Sequence, residues 1–143
     1  VGRKICDSVW AIYASKDYVR QHGRPATIAD LAAHALIGFD GIMQSHRVAK
    51  WLPAAVPGAR IVCHSASILG AVSSVKAGVG IAPLPTTLGD AEETLVQVLP
   101  PVQELTRSWY LLTPPDLRRT PRIAAFVDCV LDDDPALRKA LVG

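Results

Sequence analysis

Apolar positions along this chain fall into short runs divided by turn residues, and the period within each run separates strands from helices. Residues 7–15, DSVWAIYAS, are apolar with β-branched and aromatic members, the pattern of a buried strand. Residues 16–22 read as a short helix stopped by Gly23, with Pro25 in the turn that follows. In TIADLAAHA, Thr27 stands as N-cap and Asp30 three residues on, a spacing that lets both side chains meet orphan backbone N–H groups. Residues 36–40 form a second short strand. Between 41 and 58 the pattern is weakest: 48–52 has helical spacing, and Pro53 and Pro57 break it.

The stretch RIVCHSASILGAVSSVKAGVGIAPLP, residues 60–85, reads as strand 60–64, helix 65–77 and strand 80–85. Gly78-Val79-Gly80 follows a helix and opens a strand. A phosphate-cradling loop has the opposite polarity, so these glycines are a helix stop. A short helix capped by Thr86 or Thr87 comes next, then strands at 95–100 and 107–114. The element at 120–133 has Thr120 as N-cap and Pro121 at the first helical position. Ile123, Phe126, Val127, Val130 and Leu131 share one of its faces. Residues 135–143 add a last short turn or helix. Strands alternating with helices at this spacing predict an α/β fold with a central, mostly parallel sheet flanked by helices.

Composition narrows the functional classes. A chain of 143 residues suffices for one core, or for part of a two-lobed module. Half the residues are hydrophobic and 20% are charged, which fits an ordered domain. The net charge of +2 carries no basic stripe, so nothing in these residues points to direct nucleic-acid contact. Cys6, Cys63 and Cys129 are unclustered and read as buried thiols in a reducing, cytoplasmic compartment. No apolar run approaches the roughly 18 residues of a membrane span, and no signal peptide opens the chain. The opening VGRKICDSVW is not a typical start, so the chain reads as cut from something larger.

Catalysis and metal binding find little support. His22, His34 and His46 lack ligand spacing. His64 and Ser65 are adjacent, and neighbours rarely aim their side chains at each other; no G-x-S-x-G elbow surrounds either serine. The chain therefore reads as neither an enzyme nor a metalloprotein, and no cofactor is implied. Ser65 and Ser67 are different. One suffices as the N-cap of the helix, and two hydroxyls beside the N–H groups of a first helical turn also suit a carboxylate or other small anion.

Together these motifs resemble one family. YASKDYVRQHGRPATIADLAAHALIGF is similar to the segment leading into the second lobe of the effector-binding domain of LysR-type transcriptional regulators. RIVCHSASILGAVSSVKAGVGIAPLP resembles that family's strand, "N-S" helix start and "A-G-x-G-I-A-x-L-P" corner. LVQVLP and SWYLLTPPDLRRTPRIAAFVDCVLD resemble its closing strand and helix. Lys16-Asp17 departs from the family's frequent Ser-Pro, and the winged helix-turn-helix and the opening of the first lobe have no counterpart.

The resemblance implies a periplasmic-binding-protein-like lobe, part of a two-lobed domain. Residues 15–106 would be the second lobe, 7–14 and 107–113 crossing strands running side by side, and 120–143 the returning helix of the first lobe. It implies an effector-sensing function, with ligand contacts at Ser65, Ala66, Ser67 and Pro83 and weaker ones at Phe39 and Leu112. It also implies a homo-oligomer, and DNA contact only through a separate N-terminal domain. A periplasmic solute-binding module for transport is the competing reading, and a serine hydrolase a third.

Overall fold

The apolar run at residues 7–15 is divided at Val9, because β1 (Gly2–Ser8) ends before it and β2 (Trp10–Ser15) begins after it. The computed structural model of the chain describes residues 2–117, 119–131 and 136. After β2 come α1 (Lys16–His22), β3 (Ala35–Phe39), α2 (Arg47–Ala55) and β4 (Arg60–Ser65). Then follow α3 (Ile68–Lys76), β5 (Ala82–Pro85), α4 (Thr86–Gly89) and β6 (Leu95–Leu99). The described part closes with β7 (Arg107–Leu112) and α5 (Pro121–Leu131). The expected element at 135–143 lies outside the described residues, Ala136 excepted.

The break at Val9 sends the two strands to different sheets. β1 pairs antiparallel with β7, from Gly2 opposite Leu112 to Ser8 opposite Arg107, with a bulge between Lys4 and Cys6. The expected side-by-side run therefore holds for Asp7 and Ser8 but not for residues 10–15. β2 is buried at every position, and lies between β5 and β6, antiparallel to both. A strand covered on both faces gives an unbroken apolar run rather than alternation.

The central sheet is not mostly parallel. Only β3 and β4 run parallel, joined by the α2 crossover. Ile81, just before β5, continues that arrangement: its N–H donates to Ala35 O (2.9 Å) and its carbonyl accepts from Ile37 N–H (2.9 Å). This bridge links the β4–β3 pair to the antiparallel β5–β2–β6 sheet. Alternation of helices and strands predicts a parallel sheet only when each helix is a full crossover. α4 is a single turn, too short for one.

Local signals account for most element ends. Ser15 caps α1 by accepting from Tyr18 N–H, and Gly23 at φ +82° ends it. Thr27 and Asp30 cap reciprocally: Asp30 Oδ2 accepts from Thr27 N–H (2.8 Å) and Ala26 N–H (3.0 Å), while Thr27 Oγ1 accepts from Asp30 N–H (3.3 Å). The Thr27 N–H, then the Thr27 hydroxyl and the Ala26 N–H, hold the Asp30 carboxyl below its usual range. The segment that follows is a 3-10 helix, Ala29–Ala33, rather than an α-helix. α2 runs through Pro53, since Val48, Leu52 and Val56, spaced four apart, are all buried and hold that face in the core. α4 takes Pro85 as its N-cap, and the Thr86 hydroxyl donates instead to Val9 O (3.2 Å).

The helix stop behaves as its glycines predict. Gly78 adopts φ +75°, and Val79 N–H returns to Ser74 O (3.1 Å). At Gly80 a Cβ would lie 2.5 Å from Ala35 O, so glycine lets the chain pass close enough to form the Ile81 bridge. Of the thiols expected to be buried, Cys6 is, Cys63 is half-buried and Cys129 is exposed on α5. Residues 10–14 of β2, with Leu36, Ile37, Val75, Ile81 and Leu84, form the centre of the core. Within the described residues no helix is long and apolar enough to cross a membrane.

Candidate functional site

Four of the sequence-read site residues come together at the carboxyl ends of the parallel pair. Phe39, the last residue of β3 and itself buried in the core, lies opposite Ser65, the last of β4, and Asp40 N–H donates to Ser65 O (3.1 Å). Ala66 and Ser67 follow directly. A Cβ placed on Gly41 would meet that of Ala66 at 3.3 Å, so the loops after β3 and β4 touch. In α/β sheets the carboxyl ends of parallel strands are where ligands are held.

The two serines divide the work of the turn. Ser67 is the N-cap of α3, its Oγ accepting from Gly70 N–H (3.0 Å). The helix therefore starts at Ile68, later than residue 65. Ser65 Oγ donates to Ser67 O (2.8 Å) and accepts weakly from Ser67 N–H (3.4 Å), bracing the loop. A helix leaves its first N–H groups without intrahelical partners. Ser67 takes that of Gly70, which leaves those of Ile68 and Leu69 to whatever lies at the helix end. Ile42 and Leu69 flank this turn with apolar side chains that are 85% and 66% exposed.

Two sequence-read positions do not join this cluster. Pro83 is fully buried in β5 opposite Ile12, so it is part of the core and offers no contact surface. Leu112 is 76% exposed at the far end of the β1–β7 pair, opposite Gly2. His64 and Ser65 alternate in exposure along β4, as neighbours on opposite faces must.

Sequence reasoning missed a cleft of about 670 Å³ where the β1–β7 pair meets the rest of the chain. Ile68 lines it, so the first turn of α3 borders the space. Ser8, Arg107, Ser108 and Trp109 form the side contributed by the β1–β7 pair. Trp10, His46, Thr87 and Leu88 contribute the opposite walls. At roughly 3.3 Å per residue Leu112 is about 13 Å beyond Ser108 along the strand, which explains its absence. The run Arg107-Ser108-Trp109, two polar residues leading into an aromatic one, is the sequence signal for this wall.

His46 has two roles here. Its Nδ1 accepts from Val48 N–H (3.2 Å), capping α2, which requires a neutral ring with its proton on Nε2. Burial, and then the Arg107 and Arg47 guanidinium groups, lower its pKa from the usual histidine value. Its ring lies 5.5 Å from that of Trp10. Asp7, next to Ser8, is already engaged: it accepts from Ser108 Oγ (2.6 Å) and Lys4 Nζ (2.9 Å), and those bonds hold its carboxyl low.

The fold is a mixed α/β lobe joined to a separate two-stranded antiparallel pair, and it is shared with solved regulatory domains. The regulatory domain of AphB from Vibrio vulnificus superposes with a TM-score of 0.70 at 23% identity, covering 92% of this chain and 69% of that one. The regulatory domain of CrgA, a LysR-type transcriptional regulator from Neisseria meningitidis, gives 0.63 at 25% identity, covering 93% and 68%. Full-length AphB of Vibrio cholerae, a virulence activator, gives 0.70 at 21% identity, with 92% of this chain but 47% of that one covered. No curated protein matches the sequence. The LysR substrate binding domain family matches residues 1–134, and the chain belongs to that family.

Proposed function

We propose that this chain is the effector-binding part of a LysR-type transcriptional regulator, sensing a small carboxylate or other small anion at the start of α3. Occupancy there alters DNA binding by a separate helix-turn-helix domain. The observation that carries this reading is the convergence of Phe39, Ser65, Ala66 and Ser67 at the carboxyl ends of β3 and β4, beside an open cleft. Residues 15–106 are then the second lobe of a two-lobed domain. The β1–β7 pair is the crossing connection, and α5 returns to the first lobe. The site binds and does not react, the protein works in the cytoplasm, and it assembles as a homo-oligomer.

A ligand shifts a regulator only by binding one arrangement better than another. The test is the effector dose response of operator binding in the intact regulator, for Ser65→Ala, Ser67→Ala and the double variant. Loss of one charge-assisted hydrogen bond is worth about 1.5–3 kcal/mol, or roughly ten- to a hundred-fold in affinity. Effector response should weaken by that factor while effector-free DNA binding survives. An unchanged dose response in all three variants refutes the assignment.

A further inference from the structure

The cleft's walls specify more than a small anion. Among the described residues lining it, Arg107 carries the one side chain charged at neutral pH, and no carboxylate faces the space. The nearest acid described above, Asp7, is spent on Ser108 and Lys4. His46 is held neutral by its cap to Val48, which leaves its Nε2–H as a donor. The remaining walls are mostly apolar, with Ile68, Pro85 and Leu88 beside the two indoles of Trp10 and Trp109 and the hydroxyl residues Ser8, Thr87 and Ser108 among them. Trp10 is almost fully buried, whereas Trp109 is 56% exposed and leaves ring surface open to a ligand.

We propose that this cleft selects a flat, ring-bearing organic anion, with its ring against Trp109 and Trp10 and its negative group held between Arg107 and the first turn of α3, which Ile68 brings to the cleft. The inference rests on the effector reading above and gives it a ligand class and two selecting residues. Arg107 stands directly opposite Ser8 across the β1–β7 pair, and both residues line the cleft. A guanidinium holds a carboxylate with two parallel N–H bonds, which a neutral amide cannot match. A flat ring gains edge or face contact with indole that a puckered ring of equal volume lacks. A cleft of this volume has room for a two-ring acid.

The experiment is calorimetric titration of the full chain with three probes: 2-naphthoate, 2-naphthamide and decalin-2-carboxylate. Naphthoate should bind, with the amide at least tenfold weaker and the saturated acid several-fold weaker. Arg107→Gln should collapse the acid-to-amide ratio, and Arg107→Lys should restore part of it. Trp109→Leu should collapse the flat-to-puckered ratio and leave the acid-to-amide ratio in place. Unchanged melting of these exposed-site variants shows that folding is not the cause. Equal binding of acid and amide, a ratio insensitive to Arg107→Gln, or no binding of naphthoate each overturns the inference. The effector reading is judged apart from this, by the serine variants' operator response. If that response behaves as expected while the probes do not, only the ligand class is wrong.

Discussion

His46 caps α2 through Val48 N–H at 3.2 Å with the same ring that lines the cleft beside Trp10. One neutral imidazole therefore serves the fold and the candidate site together. Its pKa is lowered by burial and by Arg107 and Arg47, so the folded chain binds a proton there less readily than the unfolded chain. The stabilising contribution is complete above the unfolded value of about 6.5 and fades as pH falls through the lower folded value. His46→Ala should cost about 1 kcal/mol, as other lost caps do, and His46→Asn should recover most of it. Proton NMR of the imidazole checks the sign; a folded pKa at or above 6.5 contradicts it.

Gly89 faces the ring of Tyr13, and a Cβ there would lie 2.3 Å from Tyr13 Cζ. Tyr13 has little room to retreat, because it is buried in β2 and its hydroxyl donates to Asp90 Oδ1 at 2.7 Å. Burial first, and then the bond to Asp90, push the phenol's pKa upward. Gly89→Ala should therefore destabilise the chain by about 1–3 kcal/mol through overpacking. Tyr13→Phe loses one hydrogen bond and should cost about 0.5–1.5 kcal/mol. Urea midpoints rank the two, and a Gly89→Ala variant as stable as the parent contradicts the packing described.

α5 carries the apolar face seen in its sequence, and none of its residues is fully buried. Phe126 is 58% exposed, while Ile123, Val127, Val130 and Leu131 are half-buried. A contiguous apolar stripe of this kind is rare on a monomer surface, and burying each such side chain gains about 1.5–3 kcal/mol. Sedimentation at micromolar concentration should show self-association, reduced by Phe126→Glu. A clean monomer for the parent chain contradicts the proposed oligomer.

Much of this architecture was legible in the sequence because local chemistry specified it. The Ser67 cap, the Gly78 stop and the Thr27–Asp30 reciprocal cap each act within a few residues. Strand direction was not legible, because the period of an apolar run is the same in parallel and antiparallel sheets. The sheet therefore reads as mostly parallel, whereas β2 is antiparallel to both β5 and β6. The division at Val9 was hidden for the same reason, since apolar residues continue across it while the pairing partner changes. At the site, the serine turn is local, so its residues stand together in the sequence. The cleft joins Trp10, His46 and Arg107, residues far apart in the chain, and only the fold brings them together. Pro83 was misread because a corner motif says nothing about which face of β5 is covered.

The central claim is that the turn at Ser65–Ser67 and the adjoining cleft hold one small molecule. Native mass spectrometry of the intact regulator, incubated with a small-molecule extract of its host cells, tests this most directly. The parent protein should carry a single adduct of small-molecule mass per chain, strongly reduced in the Ser65→Ala/Ser67→Ala double variant at equal folded content. An adduct that persists undiminished in the double variant, or a parent protein that captures nothing, contradicts it.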